Sequence, residues 1–235
     1  MIEDVRLELT NWGVGIDMTG PTSPTKMRDN ITIRNAYISG ASTYAIGLWS
    51  PSISTYTMPD NITIENCLLK NFIGTARGIR LNTGNNVIIR RNVIMGAGSY
   101  GIYAYAGGTE INDVNIYYNV IYGSGYTDIY CQDGTAYEIY NNTIDGTINS
   151  VSSATIRNNF YQSLTSGGTA SHNIDIGDIT PSNYFTNYLG HNYNLKSTAI
   201  GAIDVGYNVS LTPDIVGTTV PQGSATDIGA YEYIP

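Results

Sequence analysis

A dozen residues recur along this chain, and their recurrence limits what the chain can fold into. The clearest copies are DNITIRNAYISG from position 29, DNITIENCLLKN from position 60 and NNVIIRRNVIMG from position 85. Aligned on a central isoleucine, successive copies lie 31, 25, 27, 23 and 17 residues apart at Ile33, Ile64, Ile89, Ile116, Ile139 and Ile156. Such a period, with apolar residues at alternate positions, predicts one coil of a stacked β-solenoid per repeat.

A second short pattern follows the central isoleucine of several repeats by 13 to 15 residues. Its members are AIGL at 45–48, GIRL at 78–81, GIYA at 101–104 and DIYC at 128–131, with GIDM at 15–18 as an earlier copy. Each coil is therefore predicted to contain at least two strands. Asn and Gly between them tolerate the left-handed conformations that tight corners need.

The alternation predicts which side chains point inward. Ile31, Ile33, Ile62 and Ile64 are expected inside, with Thr32, Arg34, Thr63 and Glu65 outside. One asparagine per repeat is expected to stack at a corner as a hydrogen-bonded ladder, at Asn35, Asn66, Asn92, Asn119, Asn142 and Asn159. Cys67 and Cys131 fall two coils apart, about 9.6 Å, which is too far for a disulfide.

The NITIRN-type strands over residues 3–163 resemble the right-handed parallel β-helix proteins of the pectate-lyase-like superfamily. The segment DIGAYEY at 227–233 resembles a closing motif found in many members. The resemblance implies an all-β fold, a right-handed parallel β-helix of about seven to eight coils with an irregular C-terminal cap. We expect residues 1–163 to form coils and residues 164–235 to form the last coils and the cap of the same domain.

Composition excludes two classes of protein. The formal net charge is −8 and the eleven Lys and Arg residues are scattered, so a nucleic-acid partner is not expected. No apolar run reaches the length of a membrane span. The opening residues lack the pattern of a signal peptide. We expect an extracellular or cell-surface protein whose leader is absent from this chain.

Two outward rows are candidates for function. The first contains Arg34, Glu65, Arg90 and Tyr117, continued by Tyr140 and Arg157. The resemblance implies a catalytic role for this row, in which an Arg neutralises a uronate and a Tyr or Arg removes a proton. The simpler interpretation is a ladder of cross-coil ion pairs, each stabilising by about 0–1 kcal/mol.

The second row is the stronger candidate for carbohydrate binding. Its members are Trp49, Arg80, Asn82, Tyr103, Tyr105 and Tyr130. Aromatic faces stack on the apolar faces of sugar rings, and polar groups beside them give directional hydrogen bonds. The alternative is that Tyr simply suits exposed strand positions.

Other candidates are weaker. Asp113, Asp128 and Asp133 fall in neighbouring coils and are a candidate Ca²⁺ cluster, although their spacing follows no calcium motif. Asn30, Asn61, Asn141 and Asn208 begin glycosylation sequons. His172 and His191 are predicted to be turn or cap residues.

The sequence thus predicts a β-helix that binds polysaccharide or glycan, with cleavage of that polysaccharide as an open question. If the protein is an enzyme, the resemblance implies a polysaccharide lyase or glycoside hydrolase. The alternative is a structural or adhesive surface protein, or a subunit of a head-to-tail filament of identical copies without catalytic activity.

Overall fold

The structure, a computed structural model, describes residues 1–10, 13–18, 29–48, 59–105, 111–132, 134–151 and 153–235. In these residues the chain winds through three strands per coil. The described strands make seven three-stranded coils and an eighth with two strands. The stacked strands and small helical content confirm the predicted parallel β-helix.

The strands of coils 1 to 4 are β1 (Ile2–Glu3), β2 (Arg6–Glu8), β3 (Val14–Asp17), β4 (Ile31–Arg34), β5 (Tyr37–Ser39), β6 (Tyr44–Leu48), β7 (Asp60–Glu65), β8 (Leu68–Lys70), β9 (Arg77–Leu81), β10 (Gly84–Arg90), β11 (Val93–Met95) and β12 (Tyr100–Ala104). Those of coils 5 to 8 are β13 (Ile111–Tyr117), β14 (Val120–Tyr122), β15 (Thr127–Cys131), β16 (Thr135–Tyr140), β17 (Thr143–Asp145), β18 (Thr147–Ser150), β19 (Ala154–Arg157), β20 (Phe160–Tyr161), β21 (Ser163–Ser166), β22 (Thr169–Ser171) and β23 (Ile174–Asp175).

The first, second and third strands of successive coils form three parallel sheets, which we call sheets 1, 2 and 3. In sheet 1 the repeat isoleucines pair directly, Ile33 with Ile64, then Ile89, Ile116, Ile139 and Ile156. The predicted register of the repeat is therefore confirmed. These six side chains are fully buried, and each stabilises the fold by about 1.5–3 kcal/mol through the hydrophobic effect.

The corner between sheets 1 and 2 contains the asparagine ladder, with one correction to its membership. Its rungs are Asn92, Asn119, Asn142, Asn159 and Asn173, and the Nδ2 of each of the first four donates to the Oδ1 of the next rung at 2.9–3.0 Å. Asn35 and Asn66 lie one position earlier, in left-handed conformation and exposed. The ladder position itself, the next residue along, is Ala36 in coil 2 and Cys67 in coil 3.

Cys67 occupies the ladder position in coil 3. Its main-chain N–H donates to Asn92 Oδ1 at 2.9 Å, and its Sγ donates to the Glu65 carbonyl at 3.3 Å. Cys131 points into the core in register with Ala104. Both thiols are free and buried, which agrees with the predicted separation of the two cysteines, and burial raises the pKa of Cys67 to about 11.

The chain after β23 packs along the side of the stack. It forms a 3₁₀ turn (Ile176–Asp178), a one-turn helix α1 (Pro181–Tyr184) and an antiparallel pair, β24 (Phe185–Asn187) with β25 (Asn192–Leu195). Phe185, Tyr193 and Ile228 pack with Val120 and Phe160, which face outward from sheet 2. This C-terminal segment therefore covers the outer face of sheet 2.

The last forty residues have no regular strands, and buried carboxylates take the place of strand pairing. Asp227 accepts from the main-chain N–H groups of Asp204 and Tyr233 at 2.7 and 2.6 Å. Glu232 accepts from Gln222 N–H at 2.8 Å, and Asp214 accepts from Glu232 N–H at 3.0 Å. The acidic residues of the DIGAYEY segment are thus structural ligands of the main chain.

Candidate functional site

The first row of sheet 1 lies in the predicted register, and its side chains bind one another. Arg34 donates to Glu3 at 2.8 Å, and Glu65 Oε2 accepts from Arg90 Nε and Arg91 Nη2, both at 2.7 Å. Arg90 Nη1 also lies 3.0 Å from the Tyr117 hydroxyl. This arrangement matches the ion-pair ladder, the simpler of the two interpretations.

Part of this row is not exposed, contrary to the expectation of an outward face. Tyr117 and Tyr140 are 6% and 8% exposed, because Val209, Leu211 and Val220 of the C-terminal segment pack over them. The Tyr118 hydroxyl donates to the Leu211 carbonyl at 3.1 Å. A polysaccharide could not reach Tyr117 without displacing this segment, so the geometry gives no support to a catalytic role.

Sheet 3 presents a cluster of tyrosines on its outer face, which we call the tyrosine face: Tyr100, Tyr103, Tyr105, Tyr126 and Tyr130. Tyr103 and Tyr130 pair across β12 and β15, and their rings stack with centroids 5.4 Å apart and planes 7° apart. Tyr100 lies 4.7 Å from Tyr103 and 5.2 Å from Tyr130. Tyr126 is 69% exposed at the edge of the cluster.

An arginine completes the stack. The Arg77 guanidinium carbon lies 4.5 Å from the centre of the Tyr103 ring, on the side of the preceding coil. The faces of Tyr103 therefore contact Arg77 and Tyr130, whereas a free aromatic face was expected. Burial raises the pKa of Tyr103, so its hydroxyl stays protonated at neutral pH and can donate a hydrogen bond.

The remaining residues predicted for this face differ in burial and in contacts. Arg80 pairs with Tyr103 in register and lies 5.7 Å from the Tyr44 ring; burial lowers its pKa. Asn82 is buried, its Oδ1 accepts from Arg80 Nε at 2.6 Å, and its Nδ2 donates to the Tyr105 carbonyl at 2.6 Å. Asn82 is therefore a structural residue rather than a ligand contact. Trp49 lies outside the described residues.

Three residues of this face were not predicted from the sequence: Arg77, Tyr100 and Tyr126, each two or three residues before an inward strand residue. The signal that could have identified them is their position just before the aligned segments GIRL, GIYA and DIYC. The outward positions aligned across repeats were those of Tyr103 and Tyr105. Arg77 and Tyr100 occupy an earlier outward position, three residues before the position of Tyr103.

The predicted calcium residues do not converge. Asp113 is exposed at a left-handed position of β13, whereas Asp128 is buried, and burial raises its pKa to about 6. Asp133 lies outside the described residues. In the described parts of the chain, no three His, Cys, Asp or Glu side chains gather around a point that could hold a metal ion.

Of the four sequon asparagines, Asn30, Asn61 and Asn208 are exposed. Asn141 is fully buried, and its Nδ2 donates to the Asp227 carbonyl at 2.9 Å. Because a glycan must be attached to that nitrogen, Asn141 is excluded as a glycosylation site in the folded protein.

His191 lies in the turn between β24 and β25, as predicted for a turn residue. Its ring stacks on Tyr122 at 4.0 Å, and its Nδ1 lies 3.0 Å from the Tyr193 hydroxyl, which donates to Asp145 Oδ2 at 2.9 Å. Tyr188 donates to the other oxygen of Asp145 at 2.6 Å. These contacts anchor the β24–β25 pair to the outer face of sheet 2.

Comparison with known families agrees with this architecture. The family described as "Right handed beta helix region" matches residues 8–144, more than half of the chain. The chain belongs to this right-handed β-helix family. No curated protein sequence matches it significantly.

Among solved structures, the chain is similar to the crystal structure of pectate lyase Pel9A. The identity is 11%, the TM-score is 0.34, and the match covers 95% of this chain and 88% of that one. A similarity this low carries no argument about function. No described helix is long and apolar enough to cross a membrane.

Proposed function

We propose that this β-helix binds polysaccharide along the tyrosine face of sheet 3, outside the cell or at its surface. The observation that carries the proposal is the stack formed by Arg77, Tyr103 and Tyr130 across three successive coils, with Tyr100, Tyr105 and Tyr126 beside it. A linear row of this kind matches a linear polymer, because each coil adds one set of contacts at a regular spacing of about 4.8 Å.

The stacking also indicates how a sugar is bound. Since the faces of Tyr103 contact Arg77 and Tyr130, the groups left for a ligand are ring edges and hydroxyls. Hydroxyls held by stacked rings are pre-organised, so little side-chain entropy is lost on binding. Tyr126, which is largely exposed, supplies an open face for a sugar ring.

We propose binding without cleavage as the activity of this face. The C-terminal segment packs against the outer faces of sheets 1 and 2, and the described clusters that it forms contain no residue from the outer face of sheet 3. The tyrosine face holds cations and hydroxyls, but the acid and base pair that a glycosidase needs is not found among its described residues.

The test is titration of the folded protein against a panel of neutral and acidic polysaccharides, with reducing ends measured in the same samples. We expect binding without new reducing ends, and a loss of affinity of at least tenfold in the double variant Tyr103→Ala, Tyr130→Ala. Each ring lost from a cluster removes roughly 0.5–1.5 kcal/mol of specific contact in addition to its buried area.

Tyr37→Ala is the matched control. Tyr37 also faces outward beside a cation, with Arg6 4.1 Å from its ring, but it lies on sheet 2 in coil 2. This variant is expected to keep the affinity of the wild type. Equal affinity of the double variant and the wild type would exclude the tyrosine face as the binding site.

A further inference from the structure

A single row of side chains follows the corner between sheets 1 and 2, one from each coil. Each belongs to the left-handed residue that ends a sheet 1 strand, and we call the set the corner row: Asp4, Asn35, Asn66, Arg91, Tyr118, Asn141, Asn158 and His172. The row lies immediately outside the buried asparagine ladder. The C-terminal segment crosses this row, since it packs on the outer faces of both sheet 1 and sheet 2.

In coils 5 to 7 the corner row binds the main chain of the C-terminal segment. Tyr118 and Asn141 donate to the carbonyls of Leu211 and Asp227. Asn158 Nδ2 donates to the Tyr207 carbonyl at 2.7 Å, while its Oδ1 accepts from the Tyr207 N–H at 2.8 Å. The Asn158 amide thus pairs with both main-chain groups of one residue, as a neighbouring strand would.

In coils 2 and 3 the row presents Asn35 and Asn66, both exposed and both with φ of 55°. Asn35 Nδ2 donates to Asp4 Oδ1, and Asn66 Oδ1 accepts from Arg91 Nε, each at 2.9 Å. The other half of each amide, Asn35 Oδ1 and Asn66 Nδ2, has no hydrogen-bond partner in the described part of the chain. Asn141 divides its amide as Asn66 does, with Oδ1 turned to the next coil and Nδ2 to the main chain.

A groove of about 610 Å³ opens at these two asparagines, between the coils and residues 213–217. Its polar lining comes from Asn35, Asn66 and Arg91, and its apolar lining from residues that include Leu68, Val93, Ile215 and Tyr231. The volume lies within the range of about 300–1,000 Å³ that is usual for ligand sites. Val216, on the C-terminal side, is 66% exposed.

We propose that this groove binds an extended peptide segment of a partner protein, by the contacts that coils 5 to 7 make with the chain's own C-terminal segment. Asn66 Nδ2 donates to a carbonyl of the peptide, and Asn35 Oδ1 accepts one of its N–H groups. An aliphatic side chain of the peptide packs against Leu68 and Val93. The repeat places equivalent side chains in equivalent positions. The contacts of coils 5 to 7 with the C-terminal segment therefore show what kind of ligand coils 2 and 3 can bind.

The experiment is selection of random linear peptides displayed on phage against the folded chain, followed by titration of the enriched synthetic peptide. The decisive variant is Asn66→Asp, which keeps the oxygen that accepts from Arg91 but replaces the donor with a second carboxylate oxygen. We expect it to weaken peptide binding at least tenfold, because a carbonyl of the peptide then faces an oxygen.

Asn71→Asp is the control, since Asn71 is exposed and left-handed in the same coil but lies at the corner between sheets 2 and 3. It adds the same charge and is expected to leave affinity unchanged. Val216→Arg, on the opposite wall, should reduce binding as Asn66→Asp does.

Three results would overturn the proposal. The first is that no peptide is enriched although the protein's melting transition is intact, and the second is that either groove variant binds the peptide with wild-type affinity. The third is that Asn66 proves necessary for binding a glycan and not for binding a peptide. The double variant Tyr103→Ala, Tyr130→Ala should bind peptide normally. The groove is therefore tested independently of the tyrosine face.

Discussion

Glu65 illustrates how the role of a side chain depends on its surroundings more than on its place in a strand. It lies on the outer side of β7, yet it is 8% exposed and its Oε2 is shared between Arg90 and Arg91. A carboxylate held by two guanidinium groups stabilises the stack of coils. It is poorly placed to serve as a general base, since that role requires access to a substrate.

We predict that Glu65→Gln destabilises the protein by about 1–3 kcal/mol and leaves polysaccharide binding unchanged. The change removes a charge from a largely buried pair and leaves two cations facing a neutral amide. Urea unfolding measures the stability, and titration of the glycan measures the binding. A variant that unfolds like the wild type but loses activity on a polysaccharide would restore the catalytic interpretation of this row.

At the scale of the element, the asparagine ladder joins neighbouring coils at the one corner where sheets 1 and 2 meet. Asn119 is fully buried; its Nδ2 donates to the Ile89 carbonyl at 2.9 Å, and its Oδ1 accepts from Asn92 N–H at 3.0 Å. Each such group left without a partner costs about 1–3 kcal/mol. The ladder therefore contributes both stability and register.

We predict that Asn119→Ala lowers the free energy of unfolding by about 3 kcal/mol, because main-chain groups of two coils and the Asn142 side chain of a third lose their partner together. Asn115→Ala is the control, since Asn115 lies four residues earlier on the outward side of β13. Its effect should stay within about 0.5 kcal/mol. Equal unfolding midpoints for the two variants would contradict the assignment of the ladder as a principal stabilising element.

The elements were predictable from sequence to the extent that the repeat defines them. The isoleucine register, the inward and outward alternation and the alignment of Arg80 with Tyr103 follow from period and pairing alone. Asn35 and Asn66 were misplaced because the asparagine of coils 2 and 3 lies at the left-handed corner position, one residue before the ladder position. Both positions favour asparagine, so the residue type could not separate them.

At the scale of the whole molecule, the C-terminal segment determines which outer faces remain available. Its sequence has no repeat, so the burial of Tyr117 and Tyr140 beneath it could not be read from the pattern. Carboxylates hold it in place, and burial raises the pKa of Glu232 to about 7, helped by the nearby charges of Asp227 and Asp214. Burial also raises the pKa of Asp227.

These pKa shifts determine whether folding stability rises or falls with pH. A carboxyl whose pKa is higher in the folded state binds more protons when folded. Stability therefore falls as the pH rises from the pKa of the unfolded state to the pKa of the folded state. For Glu232 that window is 4.5 to about 7, and for Asp128 it is 3.8 to about 6. We predict a higher urea midpoint at the acidic end of these windows than above them.

Glu232→Gln should reduce that difference, because the amide does not titrate in this range. The matched comparison is Glu138→Gln, on an exposed position of β16, which should leave the pH profile unchanged. A midpoint that instead increases with pH across the window would show that buried carboxyls do not govern the acid response.

The route of the C-terminal segment also bears on how such a chain can grow or shrink over generations. A stack whose coils are related by translation accepts the duplication or loss of a repeat with little disturbance to the others. Here, however, Leu211, Asp227 and Tyr207 are fastened to coils 5, 6 and 7 in turn. An extra repeat inserted there would pull these anchors apart, whereas one inserted near coil 2 would leave them in place. The lineage is thus free to vary in the number of early coils and constrained where the C-terminal segment is anchored.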